Sequence, residues 1–393
     1  MKLYLNDLGL LCAAGNDKDH VLRNLLAGER SGLVFTDRFS PGRQFAVGRV
    51  EAELPEIGDD LRYHRCRNNR LLLAALTQIR GTVDRMIARF GRDRIGCVLG
   101  TSTSGIRSTE LALAEQAESG ALPGDFHYKQ QQMGAGADFL RAYLNLGGPA
   151  YTLSTACSSS GRALASARRL LRLGLCDAVI VGGADTLCNL TINGFAALDS
   201  LSSGLCRPFG LHRDGINIGE AVSLFVLSRE QGPVELLGIG STSDAYHFSA
   251  PDPEGLAVGQ AMQKALQDAG KRPEQIDYLN LHGTATVLND SMESKAVNAV
   301  FGADVAASSS KGMTGHTLGA AAALELGFCW LLLNRDDDTG RLIPNVNADT
   351  IDPELAVLNL VRQGAALNRR INVCQSNSFA FGGNNISIVV GRA

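Results

Sequence analysis

Three residues of this chain combine reactive side chains with glycine- or threonine-rich surroundings: Cys157, His282 and His316. Cys157 lies in Tyr151-Thr152-Leu153-Ser154-Thr155-Ala156-Cys157-Ser158-Ser159-Ser160-Gly161. There an alternating segment gives way to a run, Arg162 to Leu171, with apolar positions at helical spacing. A turn from strand to helix exposes a nucleophile and holds it still. Free N–H groups and the positive dipole end of the helix favour a thiolate at such a place. By position alone, a small cysteine filling a gap under the helix is an equal reading. His282 opens His282-Gly283-Thr284-Ala285-Thr286 after an apolar strand pattern. His316 closes Lys311-Gly312-Met313-Thr314-Gly315-His316 ahead of a helix of small residues. Catalytic groups gather on such loops at the carboxyl ends of strands. The set is that of a sulfur nucleophile with two imidazoles, or of three zinc ligands. No local ligand pair or acidic neighbour accompanies it, so no metal is expected.

The composition is that of an ordinary globular protein. The 393 residues are 45% hydrophobic and 20% charged, enough for two or three domains or one large α/β body. A net charge of -3 gives no global basic field, so no nucleic-acid partner is expected. The nine cysteines are odd in number and include no close C-x-x-C pair, which predicts buried thiols in a reducing compartment. Asp7 interrupts the start where a signal peptide needs its apolar core, and no apolar run spans a bilayer. The expectation is a soluble cytoplasmic protein without a membrane partner.

The elements that must position the three residues repeat. Strand, small-residue turn and Ala-rich helix occur around Cys157 and again from Lys311 to Glu325. This predicts a degenerate duplication with one active segment in each half, split as residues 1–230 and 231–393. Alternating strands and helices predict layered α/β sheets. Leu61 to Arg80 reads as one helix whose first half carries Arg62, Arg65, Arg67 and Arg70. Cations at a helix start oppose its dipole, which points to an anionic partner for them.

Four blocks carry a family resemblance: Thr155-Ala156-Cys157-Ser158-Ser159, His282-Gly283-Thr284-Ala285-Thr286, Lys311 to His316, and Asn377-Ser378-Phe379-Ala380-Phe381-Gly382-Gly383. In this order they resemble the signature blocks of the β-ketoacyl-acyl-carrier-protein synthases, the FabB/FabF-type condensing enzymes of the thiolase superfamily. The resemblance implies a duplicated five-layer α-β-α-β-α thiolase-like fold. It implies an acyltransferase performing decarboxylative Claisen condensation: Cys157 holds an acyl group and malonyl-acyl-carrier protein extends it, in fatty acid, polyketide or aryl-polyene-type biosynthesis. His282 and His316 would supply N–H donors to the enolate. Lys311 and Glu325 match the charged pair near the histidines. Thr284 and Thr286 match the hydroxyls that hold the phosphopantetheine arm. Phe379 matches the gate residue and, with Cys157, the backbone donors of the oxyanion hole. Arg62, Arg65, Arg67 and Arg70 fall where the acidic carrier protein docks. The implied partners are acyl carrier protein and an identical or related second subunit, with no cofactor beyond the carrier's phosphopantetheine. The alternatives are a non-catalytic chain-length-factor-like subunit and a coenzyme-A-dependent thiolase.

Overall fold

The computed structural model describes residues 1–347 and 349–393. Its strands are β1 (Tyr4–Leu11), β2 (Leu33–Thr36), β3 (Phe45–Gly48), β4 (Ile95–Gly100), β5 (Ala150–Leu153), β6 (Ala178–Asp185), β7 (Ile218–Gly219), β8 (Ala221–Ser228), β9 (Val234–Ser243), β10 (Tyr278–Asn280), β11 (Ala306–Ser308), β12 (Asn359–Leu360), β13 (Val373–Ala380) and β14 (Asn384–Arg392). Its helices are α1 (Lys18–Ala27), α2 (Arg67–Phe90), α3 (Ile106–Ser119), α4 (Ala135–Leu144), α5 (Ser159–Arg172), α6 (Asn189–Ala197), α7 (Leu256–Ala269), α8 (Val287–Phe301), α9 (Lys311–Thr314) and α10 (Ala321–Leu333).

The repeat seen in the sequence is a repeat of topology. One sheet edge runs β1-β8-β6-β4-β5 and the other β9-β14-β13-β10-β11, with β12 added at the end. In order of appearance within its half, each reads first, fifth, fourth, second, third. The directions agree as well: β4 is parallel to β5 and β6, and β10 to β11 and β13, while β8 and β14 are antiparallel to their neighbours. The two sheets meet through a short pairing of Tyr4 and Leu5 with Glu235 and Val234.

Helices complete five layers. α2 covers one sheet, α7 the other, and α5 and α10 lie between the sheets. Position follows from sequence. α2 buries one stripe, Leu72, Leu76, Ile79 and Val83 among others, and leaves the opposite side to arginines. All thirteen residues of α10, AAALELGFCWLLL, are buried, as a helix apolar but for one residue, Glu325, must be. β6 and β8, covered on both faces, read as continuous apolar runs. A buried carboxylate, Asp185, ties the halves together. It accepts from Thr101 and Thr103 hydroxyls, from the Ser102 and Thr103 N–H groups, and from the N–H of Ala320 at the start of α10.

The helix expected over Leu61–Arg80 is divided. A short 3-10 turn spans Asp59–His64, the chain extends at Arg65 and Cys66, and α2 then runs on to Phe90. No helix among the described residues is long and apolar enough to cross a membrane.

Close packing of β4 on the first turn of α5 depends on Gly100. A Cβ there would lie 2.2 Å from Ser160 N and 2.5 Å from the Ser159 carbonyl carbon, both main-chain atoms. Gly100→Ala is therefore expected to destabilise the protein by about 3 kcal/mol, read as a lowered denaturation midpoint. An unchanged midpoint would show that the helix does not sit this close.

Candidate active site

Cys157 stands on the turn between β5 and α5, one residue before the capping Ser158. The turn is sharp enough to hold Ala156 at φ +52°, a left-handed value costing about 1–3 kcal/mol for a residue with a Cβ. Serine hydroxyls hold it in place: Ser158 Oγ donates to Thr155 O (2.8 Å), Ser159 Oγ to Ala156 O (2.5 Å), and Thr155 N–H to Ser159 Oγ (2.8 Å). The small residues after the cysteine thus build the elbow.

His282 leaves the end of β10, and Glu293 of α8 secures its loop. One carboxyl oxygen accepts the His282 N–H and the other the Gly283 N–H, each at 2.7 Å. Asp290, one turn earlier, accepts the N–H groups of Phe209 and Ala285. Burial pushes Asp290 up to about 6 and Glu293 up to about 8. Their positions on α8 are three residues apart, so both face the same loop. His316 is held by main chain on both sides. Its N–H donates to Asn217 O (2.6 Å), and its carbonyl accepts from Gly219 N–H of β7 (2.9 Å).

These loops bring the three residues together. His316 Nε2 lies 2.9 Å from Cys157 Sγ. The two imidazoles are 5.5 Å apart between centroids and nearly perpendicular. All three residues line one cavity of about 320 Å³, with Thr284, Thr286, Phe379 and Phe381. The sulfur is thus on a cavity wall, although its residue is only 5% exposed. The Thr284 and Thr286 hydroxyls are 2.9 Å apart. Lys311, 1% exposed, reaches Glu325 Oε1 and His282 O at 2.5 Å each and His282 Nδ1 at 3.4 Å.

The electrostatics set the protonation states. Burial, and then the Lys311 charge, hold both histidines well below the usual imidazole range; His316 further lowers His282. Both rings are neutral. Because the Lys311 ammonium donates to His282 Nδ1, the His282 proton is placed on Nε2, facing the cavity. His316 Nδ1 has no partner among the described residues, so its tautomer is not fixed in this way. Burial pushes the Cys157 thiol up to about 12, against the pull of Lys311 and of the Phe381 N–H. The thiolate expected from the helix start is therefore opposed by desolvation. In the resting site the thiol and His316 Nε2 are hydrogen-bond partners. That group now has the spacing of a metal site, its ligand atoms lying within 4.8 Å of one another. A tetrahedral zinc would hold S and N roughly 3.5 Å apart given its bond lengths. The observed 2.9 Å fits a direct hydrogen bond.

Two groups assigned by the resemblance have neighbours that bear on their roles. The Phe381 N–H, like that of Cys157 itself, draws the Cys157 thiol downward. Phe379 lies in β13 opposite Asn385, and its ring meets His282 edge-on at 5.9 Å. β13 ends at Ala380, so the next N–H is the first released from the ladder. Of the four arginines, three are engaged within the chain. Arg65 pairs with Asp59, Arg70 with Glu56, and Arg67 is bidentate on the buried Glu220. The anion required at the start of α2 is internal. Arg62 stacks on Tyr63 and has no carboxylate in bridging distance among the described residues. Sequence reading missed Glu293, Asp290 and Glu220. Glu220 and one contact of Asp290 reach segments 153 and 81 positions away, and nothing in the pattern of α8 shows that Glu293 folds back on the loop just before it.

Comparison with known proteins gives this geometry a class. Residues 69–232 match the model of the beta-ketoacyl synthase N-terminal domain and 234–348 that of the C-terminal domain. A 3-oxoacyl-[acyl-carrier-protein] synthase 2 from Staphylococcus aureus is 33% identical over 76% of this chain and 77% of its own. Another of the same name, from Synechocystis sp., is 29% identical over 98% and 97%. Among solved structures, the complex of the ketosynthase ApeO with its chain length factor ApeC from Xenorhabdus doucetiae matches with TM-score 0.95 and 47% identity, covering 100% of this chain and 98% of the other. A beta-ketoacyl synthase from Burkholderia phymatum matches at TM-score 0.87 and 26% identity, covering 100% and 99%. The chain belongs to the β-ketoacyl synthase family and has its thiolase-like fold. It is a condensing enzyme of the acyltransferase class.

Only a thiolate is alkylated rapidly. A thiol raised to about 12 stays largely protonated at neutral pH, and its thiolate fraction grows as pH rises. Labelling of Cys157 by iodoacetamide is therefore expected to quicken about tenfold per pH unit from about pH 7 to 9 without levelling, whereas a free thiol levels near 8.5. Lys311→Met removes the largest charge lowering the thiol and should slow labelling further. A profile that levels below about pH 8 would contradict this.

Proposed function

We propose that Cys157 is the acyl carrier in a decarboxylative condensation with malonyl-acyl-carrier protein. The observation that carries this reading is the 2.9 Å contact between Cys157 Sγ and His316 Nε2 beside the fixed His282 N–H donor. In the first half-reaction the Sγ–H proton moves to His316 Nε2 as sulfur attacks the acyl thioester carbon. The tetrahedral oxyanion is received by the backbone N–H groups of Cys157 and Phe381. The carrier's thiol then leaves with the proton from His316, which returns to neutral. In the second, malonyl thioester loses carbon dioxide, and the electron pair of the broken bond becomes an enolate. Its oxygen takes hydrogen bonds from His282 and His316 Nε2–H, and its carbon attacks the acyl-cysteine, re-forming the carbonyl of the thioester and releasing sulfur as a thiolate that takes up one proton from solvent to restore the thiol. Free choice of tautomer suits His316 to both steps. Lys311 and Glu325 orient and polarise His282. Thr284 and Thr286 on the cavity wall hold the phosphopantetheine arm, with Phe379 packing behind His282.

Acyl carrier protein is the partner by which both substrates arrive, and the relatives named for this activity support it. Of the basic segment, Arg62 is the residue left available for docking. A related second subunit is favoured over a second copy by one likeness, the ketosynthase complex with a chain length factor at 47% identity. The same likeness favours a polyketide- or polyene-type pathway over housekeeping fatty acid synthesis. A non-catalytic role for this chain is disfavoured by its intact Cys157, His282 and His316. A thiolase is disfavoured because Cys157 is the one cysteine among the described residues lining the cavity. Free cysteines at all nine positions suit the cytoplasm. The repeat of strand order supports dividing the chain into halves 1–230 and 231–393.

Intact-mass analysis with a panel of acyl carrier proteins tests the reading. Cys157 should gain the acyl mass, and Cys157→Ala should not. His282→Ala should still be acylated, with condensation falling about 10²–10³-fold. His316→Ala should lose both steps, acylation slowing about 10²-fold. Condensation with Cys157→Ala at the wild-type rate would overturn the assignment.

A further inference from the structure

A second cavity, of about 240 Å³, lies against the small sheet formed by β2, β3 and β7. It shares no lining residue with the cavity of Cys157. Val34, Val47 and Leu187 give it apolar walls, and four arginines enter it: Arg38, Arg49, Arg67 and Arg107. Glu220 is the only carboxylate among its described lining residues.

Glu220 is already committed. Both its oxygens are taken by Arg67, at 2.9 and 2.6 Å, and one also accepts the Val50 N–H. Arg107 shares Glu110 with the N–H groups of Asn189 and Leu190. Arg38 and Arg49 meet no carboxylate in bridging distance among the described residues. Four cations against two anions leave the pocket doubly positive. The guanidiniums of Arg38 and Arg107 are also gathered on one ring, lying 5.9 and 5.2 Å from the centroid of Phe39. Like charges held together beside apolar walls repel, and a concave site of one sign concentrates counter-ions.

We propose that this pocket is a binding site for a small amphipathic anion. A carboxylate or phosphate sits among Arg38, Arg49 and Arg107, and a short apolar body lies on Val34, Val47 and Leu187. The volume is just below the range of about 300–1,000 Å³ common for drug-sized ligands, so the ligand is small. Planar guanidiniums match either headgroup by paired hydrogen bonds. The site is separate from the condensation and does not depend on that reading.

Calorimetric titration of the full-length protein tests it, with octanoate, octyl phosphate and, as charge-reversed control, octylamine as probes. One of the two anions is expected to bind at a single site with affinity that falls with salt, and octylamine is not. The variant Arg38→Gln/Arg49→Gln, both exposed residues, should weaken binding at least about tenfold, a loss of roughly 1.4 kcal/mol. Its Cys157 should still be acylated as in the wild type. Tighter binding of octyl phosphate assigns a phosphate-bearing ligand, and tighter binding of octanoate a carboxylate. Equal affinity for wild type and variant would place the probe elsewhere and overturn the proposal. So would the absence of saturable binding up to about 10 mM.

Discussion

An ammonium group deep inside a protein must be compensated or it will lose its proton. Lys311 meets that condition with Glu325, the His282 carbonyl and His282 Nδ1, and much of the active site follows from the arrangement. The charge adds to burial in holding both imidazoles below the usual range, directs the His282 proton to the cavity side and draws the thiol toward ionisation. Burial raises Glu325 to about 6, against the pull of the Lys311 charge. Removing one partner of such a pair costs about 3–5 kcal/mol, because the other is then buried alone. The pair is thus a constraint on protonation as much as a link between elements.

The duplicated fold brings these groups to one place. Each half presents its reactive segment where a parallel strand ends, and the central helices α5 and α10 set the two segments face to face. Cys157 comes from the start of α5. His316 precedes α10, and Glu325 lies within it. Asp185 fixes the start of α10 to the loop after β4, and the Ala323 N–H of α10 donates to Ser160 Oγ in the first turn of α5, which registers the segment of the sulfur against that of the second imidazole.

Much of this was legible in the sequence because it is local. The elbow around Cys157 and the loops carrying His282 and His316 announce themselves through glycine, serine and threonine where strands end. The repeat could be read from the similar order of strand, turn and small-residue helix. What was hidden is long-range. Arg67 looked like a docking residue because its partner, Glu220, lies 153 positions away. Glu293 and Asp290 sit on a helix whose pattern gives no sign that two carboxylates will close on a loop. That the Phe381 N–H lies free just past the end of β13 depends on where one strand lets go of its neighbour, a boundary of the kind sequence places least well. The cost of burying the thiol was equally invisible, since it depends on everything that surrounds the sulfur.

The wholly buried α10, apolar but for Glu325, has a bearing on how the molecule is made. It packs on α5 and on strands of both sheets, so the inner surface of the first sheet has no complete cover until residues 321–333 are present. A chain still emerging from the ribosome and short of that helix carries a large greasy face with nothing to close it. Chaperone occupancy should be greatest over that interval and fall once the helix has docked.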